Sequence, residues 1–427
     1  MKRIKTALVF VMIAGCAAAQ DLAPEELLPV HADKDAYFPA AAFGKDGFLV
    51  AWQAGRIADG NLANGKSDPV GIGDIVACRV DKSGKTLDTK PFVVSGAADL
   101  QEKPRLAFAP SAGSGQGGDV FLVVWQDMRN GKDYDVYAAR VSVDGKSLDP
   151  DGVLICGGAR NQAMPDVTYD GGNFLVVWQD FRSGKYAVHG ARVDKSGKVL
   201  DADGIVLGDS GKGEFHRITP VVNSLGDARS VVFWAADSTM PGRSEPSGGC
   251  FVKEGKVAKT FDFKGHHYAA PVNPIALAVG PRGFLLAWRN NAAVGRGTPS
   301  RNANAAFFSP EGEKEASDEK GSKGAFRIGG NIADPSAAWD GERFVIAWHS
   351  AKGEKKSFPS DAVSATTISV DGQPSDKVLD VAGTKESPAC GAAVASDRVG
   401  LTLIAYERHP SSGDVPIKVG VRMLKRQ

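Results

Sequence analysis

Two pairs of an aspartate and an arginine stand in the same local sequence and are the first candidates for chemistry in this chain. Asp127 and Arg129 follow the segment Phe-Leu-Val-Val-Trp-Gln, and Asp180 and Arg182 follow a second copy of it. Such a pair at a strand end can bind a carboxylate or a sugar, or it can pair internally and cap loop amides. Because the pair recurs in two adjacent copies, we predict a structural role.

A second set of polar side chains lies just before the start of successive sequence repeats. The set comprises Tyr37, Glu102, Gln162, His216, His266, His267, Asp334 and Glu386. Histidines and carboxylates that converge on one opening can bind a metal or a polar ligand, although hydrated polar residues also line such openings without any ligand. We name the set as the candidate ligand-binding residues. We predict neither a metal nor a cofactor, because no zinc or haem signature is present.

The elements that must position these residues are seven sequence repeats. Each repeat contains an apolar run that ends in an aromatic residue. These residues are Trp52, Trp125, Trp178, Trp234, Trp288, Trp348 and Tyr406, at intervals of 73, 53, 56, 54, 60 and 58 residues. A fixed period of this length is typical of solenoids and propellers.

Each repeat predicts four short strands, clearest in the third copy at 165–169, 174–178, 187–193 and 204–207. The runs are rich in β-branched and aromatic residues and are bounded by Gly, Asp and Asn. Four antiparallel strands in each of seven repeats predict an all-β fold, a single seven-bladed β-propeller over residues 21–427. Prolines such as Pro165 are expected at the first residue of a blade, where no ladder donor is needed.

The two ends of the chain predict how the ring closes. Fourth-strand candidates follow only six repeats, and the seventh repeat ends with its third strand at 418–423. An apolar segment at 27–30 precedes the first blade, and we expect it to supply the missing strand, which removes exposed sheet edges. The alternative is that this segment merely leads into the first blade.

Three arginines recur in the predicted third strands, in the context Ala-Arg-Val or Ala-Cys-Arg-Val. They are Arg79, Arg140 and Arg192. We expect them to pair with Asp127 and Asp180 or to contact a neighbouring blade.

Composition limits the class of protein. The 427 residues are 43% hydrophobic, include 51 glycines and 23 prolines, and carry a formal net charge of +1. A chain of this size can bury a large core, and the glycines and prolines suit many tight turns. Lys and Arg alternate with Asp and Glu, so nucleic acid is not an expected partner.

Residues 1–20 resemble an export signal, with Lys2, Arg3 and Lys5 before a short apolar stretch. Two cleavage positions compete. The order Ile-Ala-Gly-Cys at 13–16 favours a lipoprotein anchored through Cys16, whereas the alanines at 17–19 suit ordinary cleavage. Both place the protein outside the cytoplasm, either anchored at the outer membrane or periplasmic or extracellular, and a lipid on Cys16 is the only membrane contact expected.

Four cysteines remain after Cys16: Cys78, Cys156, Cys250 and Cys390. They lie in different repeats and form no Cys-x-x-Cys pair. Buried free thiols are therefore expected, with one disulfide left open.

Enzyme motifs are absent from the sequence. Repeated Ser-x-Asp-x-Gly-x-x-Trp boxes of sialidases do not occur, and there is no Gly-x-Ser-x-Gly elbow. A glycosidase would need two carboxylates about 5–10 Å apart, and the sequence alone does not identify such a pair.

The repeat resembles that of a group of exported bacterial β-propeller proteins, largely uncharacterised. Their pattern runs Phe-Leu-Val-Val-Trp-Gln-Asp-x-Arg, a Gly-containing loop, Asp-x-Tyr-x-Ala-Arg-Val and a Gly-x-x-Leu-Asp turn. Residues 121–148 match almost throughout, and residues 174–200 match with Ala187 in place of the Asp. The resemblance implies a propeller fold and a location at the cell envelope, and it implies no catalytic residue.

Together these features predict an exported binding or scaffolding module for protein or glycan at the cell envelope. The alternative is a carbohydrate-active enzyme, a glycoside hydrolase or lyase, with its site on the face that carries the long connections. Those connections follow the second strands, at 53–73, 235–249, 289–304 and 349–361. Long loops on one rigid face are where binding sites commonly form.

Overall fold

Seven four-stranded antiparallel sheets make up the computed structural model of the chain. The structure describes residues 22–55, 73–111, 118–209, 215–238, 247–263, 275–292, 300–311, 325–330, 332–350, 362–384, 386–411 and 415–426. The export segment, Cys16, His266 and His267 lie outside these ranges. Within the described ranges, no helix is long and apolar enough to cross a membrane.

The strands up to the end of the third blade follow the predicted order. They are β1 (Glu26–Leu27), β2 (Ala36–Phe43), β3 (Gly47–Gly55), β4 (Gly73–Asp81), β5 (Phe92–Ser95), β6 (Gln101–Ala109), β7 (Val120–Asp127), β8 (Asp135–Ser142), β9 (Val153–Cys156), β10 (Gln162–Tyr169), β11 (Phe174–Asp180), β12 (Ala187–Val193) and β13 (Ile205–Gly208). Blades one, two and three are β2–β5, β6–β9 and β10–β13.

The remaining strands form blades four to seven. They are β14 (Phe215–Gly226), β15 (Arg229–Ser238), β16 (Ser247–Lys253), β17 (Lys256–Phe263), β18 (Ala276–Gly280), β19 (Gly283–Ala292), β20 (Ser300–Phe308), β21 (Ala325–Gly330), β22 (Ile332–Trp339), β23 (Arg343–Ser350), β24 (Ala362–Ser369), β25 (Leu379–Ala382), β26 (Ala389–Ser396), β27 (Leu401–Arg408) and β28 (Lys418–Lys425). The first strand of each blade contacts the first strand of the next, and β2 contacts β26, which closes the ring. The fold is the predicted seven-bladed β-propeller.

Blade seven is completed by the N-terminal strand, as the sequence predicts. Its sheet order is β26-β27-β28-β1, with Glu26 opposite Val421 and Leu27 opposite Gly420. The Leu28 amide continues the pairing by donating to the Val419 carbonyl at 2.9 Å. The chain ends are therefore joined by sheet hydrogen bonds, and β28 presents no open edge along this stretch.

The aromatic residues that mark the repeats are core residues. Trp52, Trp125, Trp178 and Tyr406 are all at most 1% exposed. Every residue of β7 is buried, which explains its continuous apolar run, because both faces of a second strand pack against neighbouring blades. One core cluster joins Leu403 and Ala405 of blade seven to Trp52 of blade one.

The recurring prolines do not begin the strands, which corrects the expectation from the sequence. Pro165 lies in the middle of β10, at a register shift between Ala163 and Asp166. The preceding Met164 has a φ of 54°. Proline has no backbone N–H, and it fits here because the β-bulge interrupts the ladder, so this position needs no donor.

The four cysteines outside the export segment are free thiols, and Cys78, Cys156 and Cys250 are buried. Burial raises the pKa of Cys78 and Cys250 to about 12 and that of Cys156 to about 11. Because the thiolate is the reactive form, these three groups are poor nucleophiles in the folded protein.

Ring closure can be tested at two neighbouring leucines. Leu28 is 1% exposed and Leu27 is 44% exposed. We expect Leu28→Ala to lower the free energy of unfolding by about 2–4 kcal/mol, because it leaves a cavity where the chain ends meet. Leu27→Ala should change it by about 0.5 kcal/mol or less. Equal effects of the two substitutions in urea titrations would contradict closure by this segment.

Candidate functional site

A ring of residues in left-handed backbone conformation surrounds the mouth of the central channel. It occurs at the bulge of the first strand in six blades. The residues are Phe38, Lys103, Met164, Thr219, Asp334 and Gly391, with φ between 48° and 61°. Five of them are not glycine, and each of those five precedes a proline. We call these six residues the mouth ring.

Side chains of the preceding blade hold the backbone of the mouth ring. The amide of Met164 donates to Oε1 of Gln126 at 3.0 Å, and the amide of Thr219 donates to Oε1 of Gln179 at 3.0 Å. Both glutamines directly follow a repeat-marking tryptophan. This contact satisfies an amide that the bulge removes from the ladder, and it joins consecutive blades.

Blade seven makes the same contact with a different residue. Glu407 follows Tyr406, and its Oε1 accepts from the amide of Phe38 in blade one at 2.9 Å. Blade one lacks the contact. Gln53 occupies the equivalent position, but neither its Oε1 nor its Nε2 has a hydrogen-bond partner among the described residues. The residue after the repeat-marking aromatic residue therefore makes the inter-blade contact in blades two, three and seven, but not in blade one.

The mouth-ring side chains differ although their backbone is shared. The Lys103 ammonium lies 5.7 Å from the centre of the Phe38 ring and 3.2 Å from Sδ of Met164. These contacts link equivalent positions in three consecutive blades, which places the side chains around the propeller axis. Burial lowers the pKa of Lys103 from its ordinary value, although the Glu102 carboxylate opposes this.

Glu102 and Tyr37 lie directly before mouth-ring residues, as neighbours of Lys103 and Phe38. Glu102 is buried, and its Oε2 accepts from Nε2 of Gln126 at 3.0 Å and from the hydroxyl of Tyr134 at 2.7 Å. Burial and this carboxylate raise the pKa of Tyr134. Glu102 therefore positions the glutamine that holds blade three.

The other residues named from the sequence do not share one place. Asp334 belongs to the mouth ring, and its Oδ2 lies 3.3 Å from Nδ1 of His349. Gln162 is buried beside the bulge of blade three, with Nε2 donating to the Ala159 carbonyl at 3.5 Å. Glu386 is exposed before β26.

His216 has a packing role in the described structure. Its Nδ1 accepts from the amide of Tyr186 at 3.0 Å, and its ring packs against Phe181 and Tyr186 at centroid distances of 6.0 and 5.6 Å. The sequence placed this histidine at the channel mouth because it precedes a first strand. Its hydrogen bond and ring contacts connect β14 to the loop of blade three.

The aspartates of the repeated motif bind groups of their own blade. Asp127 accepts from Nε1 of Trp125 at 2.7 Å and from the amide and guanidinium of Arg129 at 2.9 and 2.6 Å. The guanidinium also lies 3.9 Å from the centre of the Tyr137 ring. Each carboxylate oxygen is thus occupied, and the tryptophan, the strand end and the following turn are held together.

Blade three repeats this arrangement. Asp180 accepts from Trp178 at 2.9 Å and from Arg182 at 3.0 and 2.6 Å. Burial acts to raise the pKa of Asp180, but the hydrogen bonds from Arg182 and Trp178 outweigh it and hold that pKa below its ordinary value. The ionised form is favoured, as an internal ion pair requires.

The recurring arginines pair with aspartates of their own blade, and Nη1 of Arg140 also donates to the Lys195 carbonyl of the next blade at 3.5 Å. Arg79, Arg140 and Arg192 contact Asp88, Asp149 and Asp201 at 2.6, 2.7 and 2.8 Å. Each aspartate lies nine residues later in the same blade, after the turn that follows the third strand. The pairing with Asp127 and Asp180 expected from the sequence is therefore wrong, whereas the expected contact with a neighbouring blade is confirmed for Arg140.

The structure also brings together residues that sequence reasoning missed. Glu407, Cys390 and His409 lie within hydrogen-bonding distance of one another in blade seven. One signal could have found them. Blades one to three carry Gln after the repeat-marking aromatic residue, and blade seven carries Glu.

Comparisons with known proteins support the fold. No protein-family model and no curated protein sequence matches the chain. A protein of unknown function from Dyadobacter fermentans has a similar structure, with 12% identity over 94% of this chain and 98% of that chain and a TM-score of 0.50.

Two further solved structures are similar at lower scores. An α-L-arabinanase of Penicillium chrysogenum complexed with arabinobiose is 9% identical over 74% of this chain and 92% of its own, with a TM-score of 0.49. A neuraminidase-like protein from A/bat/Guatemala/164/2009 is 12% identical over 95% and 90%, with a TM-score of 0.45. At these identities the likeness shows the fold alone.

The inter-blade contact can be tested with two glutamines at equivalent positions. Gln126→Ala removes the acceptor of the Met164 amide and the donor to Glu102, whereas Gln53→Ala removes no hydrogen bond among the described residues. We expect Gln126→Ala to lower the free energy of unfolding by about 1–2 kcal/mol more than Gln53→Ala. Chemical denaturation of both variants measures the difference, and equal losses would contradict the contact's role.

A pH dependence is expected from Asp166, which lies just past the bulge of blade three. Burial raises the pKa of Asp166 to about 6, with Arg105 opposing the rise, and its Oδ2 accepts from the Val222 amide at 2.8 Å. A raised carboxyl pKa stabilises the fold at low pH, and this stabilisation is lost as the pH rises through about 6.

Asp166→Asn keeps the acceptor for the Val222 amide and removes the titration. Wild type should therefore lose about 2 kcal/mol of stability relative to this variant between about pH 4 and pH 7. Urea titrations at several pH values measure this difference. A constant difference across that range would show that Asp166 does not titrate as its burial requires.

Proposed function

We propose that this protein is an exported binding module that recognises a protein or a glycan of the cell envelope at its channel mouth. The observation that carries the proposal is the mouth ring. Six blades hold the same left-handed backbone position, yet they present Phe, Lys, Met, Thr, Asp and Gly there. A position that served only the fold would repeat its side chain, as the Trp and Gln positions of blades one to three do.

The backbone of the ring is costly to maintain. A non-glycine residue in this region costs on the order of 1–3 kcal/mol, and a following proline disfavours compact backbone conformations further. The amide contacts from Gln126, Gln179 and Glu407 offset this cost. The result is a rigid rim that displays side chains with little freedom to move, which lowers the entropy lost on binding.

The chemistry of the rim suits an amphipathic ligand. Phe38 offers an aromatic ring, and Met164 offers a polarisable thioether. Lys103 and Asp334 carry opposite charges. Aromatic faces and a few placed polar groups are the usual components of sites for sugars and peptide segments. The residues next to the mouth ring lie opposite the ends of the second strands, as Glu102 pairs with Gln126 and Ala163 with Gln179.

Catalysis is the second candidate, as a carbohydrate-active enzyme. The two glutamates nearest the mouth ring, Glu102 and Glu407, already accept hydrogen bonds from protein groups. A glycosidic acid and base must instead face the substrate. These contacts support binding ahead of catalysis.

The export segment belongs to the same proposal. Residues 1–20 would carry the protein out of the cytoplasm, and Cys16 would anchor it to the outer membrane if lipidated. Without the lipid, the protein would act in the periplasm or outside the cell. No bound nucleic acid is expected from a net charge of +1.

The proposal is tested with two lysines on opposite faces. Lys103→Met removes the ammonium of the mouth ring, and Lys146→Met removes an exposed ammonium from the turn between β8 and β9. A glycan array and a pull-down from envelope extracts identify a ligand for residues 21–427, and titration measures the affinity of each variant. We expect Lys103→Met to weaken binding at least about tenfold, and Lys146→Met to leave it unchanged.

Equal affinities of the two variants would contradict a binding site at the mouth ring. Turnover of a bound polysaccharide, measured as released reducing ends, would instead support the enzyme.

A further inference from the structure

Blade seven contains a compact cluster of a thiol, a carboxylate and an imidazole. Sγ of Cys390 lies 3.2 Å from Nε2 of His409 and 3.3 Å from Oε2 of Glu407, and these last two atoms are 3.3 Å apart. Cys390 lies on β26, Glu407 lies opposite it on β27, and His409 follows the end of β27. Three side chains from two paired strands thus point one atom each at a common centre.

At most two protons are available for the three contacts. The thiol has one proton, and Nε2 of a neutral imidazole has at most one. If both protons are directed at the carboxylate, nothing links the sulfur to the ring nitrogen, although these atoms are 3.2 Å apart. A cation among the three atoms would attract all of them at once.

We infer that Cys390, Glu407 and His409 form a binding site for a divalent metal ion of the zinc type. Thiolate, imidazole and carboxylate are the ligands that zinc takes in proteins, at about 2.3, 2.0 and 2.0 Å. For a tetrahedral ion these bond lengths place the donor atoms about 3.3–3.6 Å from one another. The three observed separations lie within a few tenths of an ångström of that range.

The surroundings hold the ligands in place. Oε1 of Glu407 accepts from the amide of Phe38, which leaves Oε2 directed at the cluster. A Cβ on Gly391 would lie 2.9 Å from Oε1 of Glu407 and would displace this carboxylate, so the glycine leaves it in place. Such outer contacts fix the orientation of metal ligands.

Metal binding at this site would release a proton. Without a metal, the Cys390 thiol donates its proton to Oε2 of Glu407. A bound divalent ion replaces this proton, which passes to solvent as the metal–sulfur bond forms. Three protein ligands leave a fourth tetrahedral position for water or a ligand atom.

Among the described residues, such a cluster is found in blade seven. Tyr37, Glu102 and Ala163 stand at the place of Cys390 in blades one to three, each opposite a glutamine. A structural requirement of the repeat would have kept the same pair in several blades. This inference goes beyond the ligand-binding proposal and does not depend on it.

The test uses residues 21–427, stripped of metal with a chelator and then titrated with Zn²⁺ and with Co²⁺. We expect one equivalent of Zn²⁺ to bind by calorimetry, with proton release that varies with the buffer. Bound Co²⁺ should give a near-ultraviolet thiolate-to-metal band. Cys390→Ala should abolish this band and weaken Zn²⁺ binding at least about tenfold, and His409→Ala should weaken it by a similar factor.

Matched controls separate loss of a ligand from loss of structure. Cys250→Ala removes another buried thiol, and His31→Ala removes a partly exposed imidazole. Both should bind Zn²⁺ as wild type does, and circular dichroism checks that every variant is folded. Absence of stoichiometric binding to wild type, or equal binding by folded Cys390→Ala, would overturn the metal site. Neither result would affect the test at Lys103.

Discussion

The hydrogen bond from a bulged first-strand amide to a side chain of the preceding blade is the contact on which the channel depends. Each blade has an inner edge whose amides lack a neighbouring strand, and unsatisfied amides are costly when they are removed from water. Gln126, Gln179 and Glu407 supply acceptors for this edge in three of the blades. Deeper in the channel, Asp166 and the Ser336 hydroxyl do the same for Val222 and Val394. Each of these contacts crosses from one blade to the next, so the same bonds satisfy these five amides and hold the ring together.

This arrangement separates the backbone of the mouth from its side chains. The acceptor contacts the amide alone, so the side chain of a mouth-ring residue is free to differ without loss of the bond. Phe38, Met164 and Thr219 show this directly, since all three have left-handed backbone and an amide held from the preceding blade. The repeated residues therefore fix the backbone of the channel mouth, and the residues that differ between blades determine which chemical groups are displayed there. Blade seven differs from blades two and three in its acceptor, which is the carboxylate of Glu407. The second oxygen of this carboxylate contacts Cys390 and His409.

The fold could be predicted from the sequence, whereas the bulges of the mouth ring and the cluster in blade seven could not. A buried second strand needs an apolar run that ends in a large aromatic residue, so the seven register marks and the closing strand could be recognised from sequence alone. The bulges could not, because the residues before the prolines are Phe, Lys, Met, Thr and Asp, which share no property, and proline ordinarily favours extended backbone before it. His216 was assigned to the channel mouth from its place along the chain, yet it packs on Phe181 and Tyr186. Cys390 and His409 are nineteen residues apart with no motif between them, so only the pairing of β26 with β27 brings them together.

Side chains of one blade hold mouth-ring amides of the next, and amide hydrogen exchange measured residue by residue tests this contact most directly. In wild type, the amides of Met164 and Thr219 should exchange as slowly as their neighbours within the sheets. In Gln179→Ala, the Thr219 amide should lose that protection while the Met164 amide, held by Gln126, keeps it. Exchange of both amides at the rate of exposed loops in wild type, or equal loss of protection at both in the variant, would contradict the account.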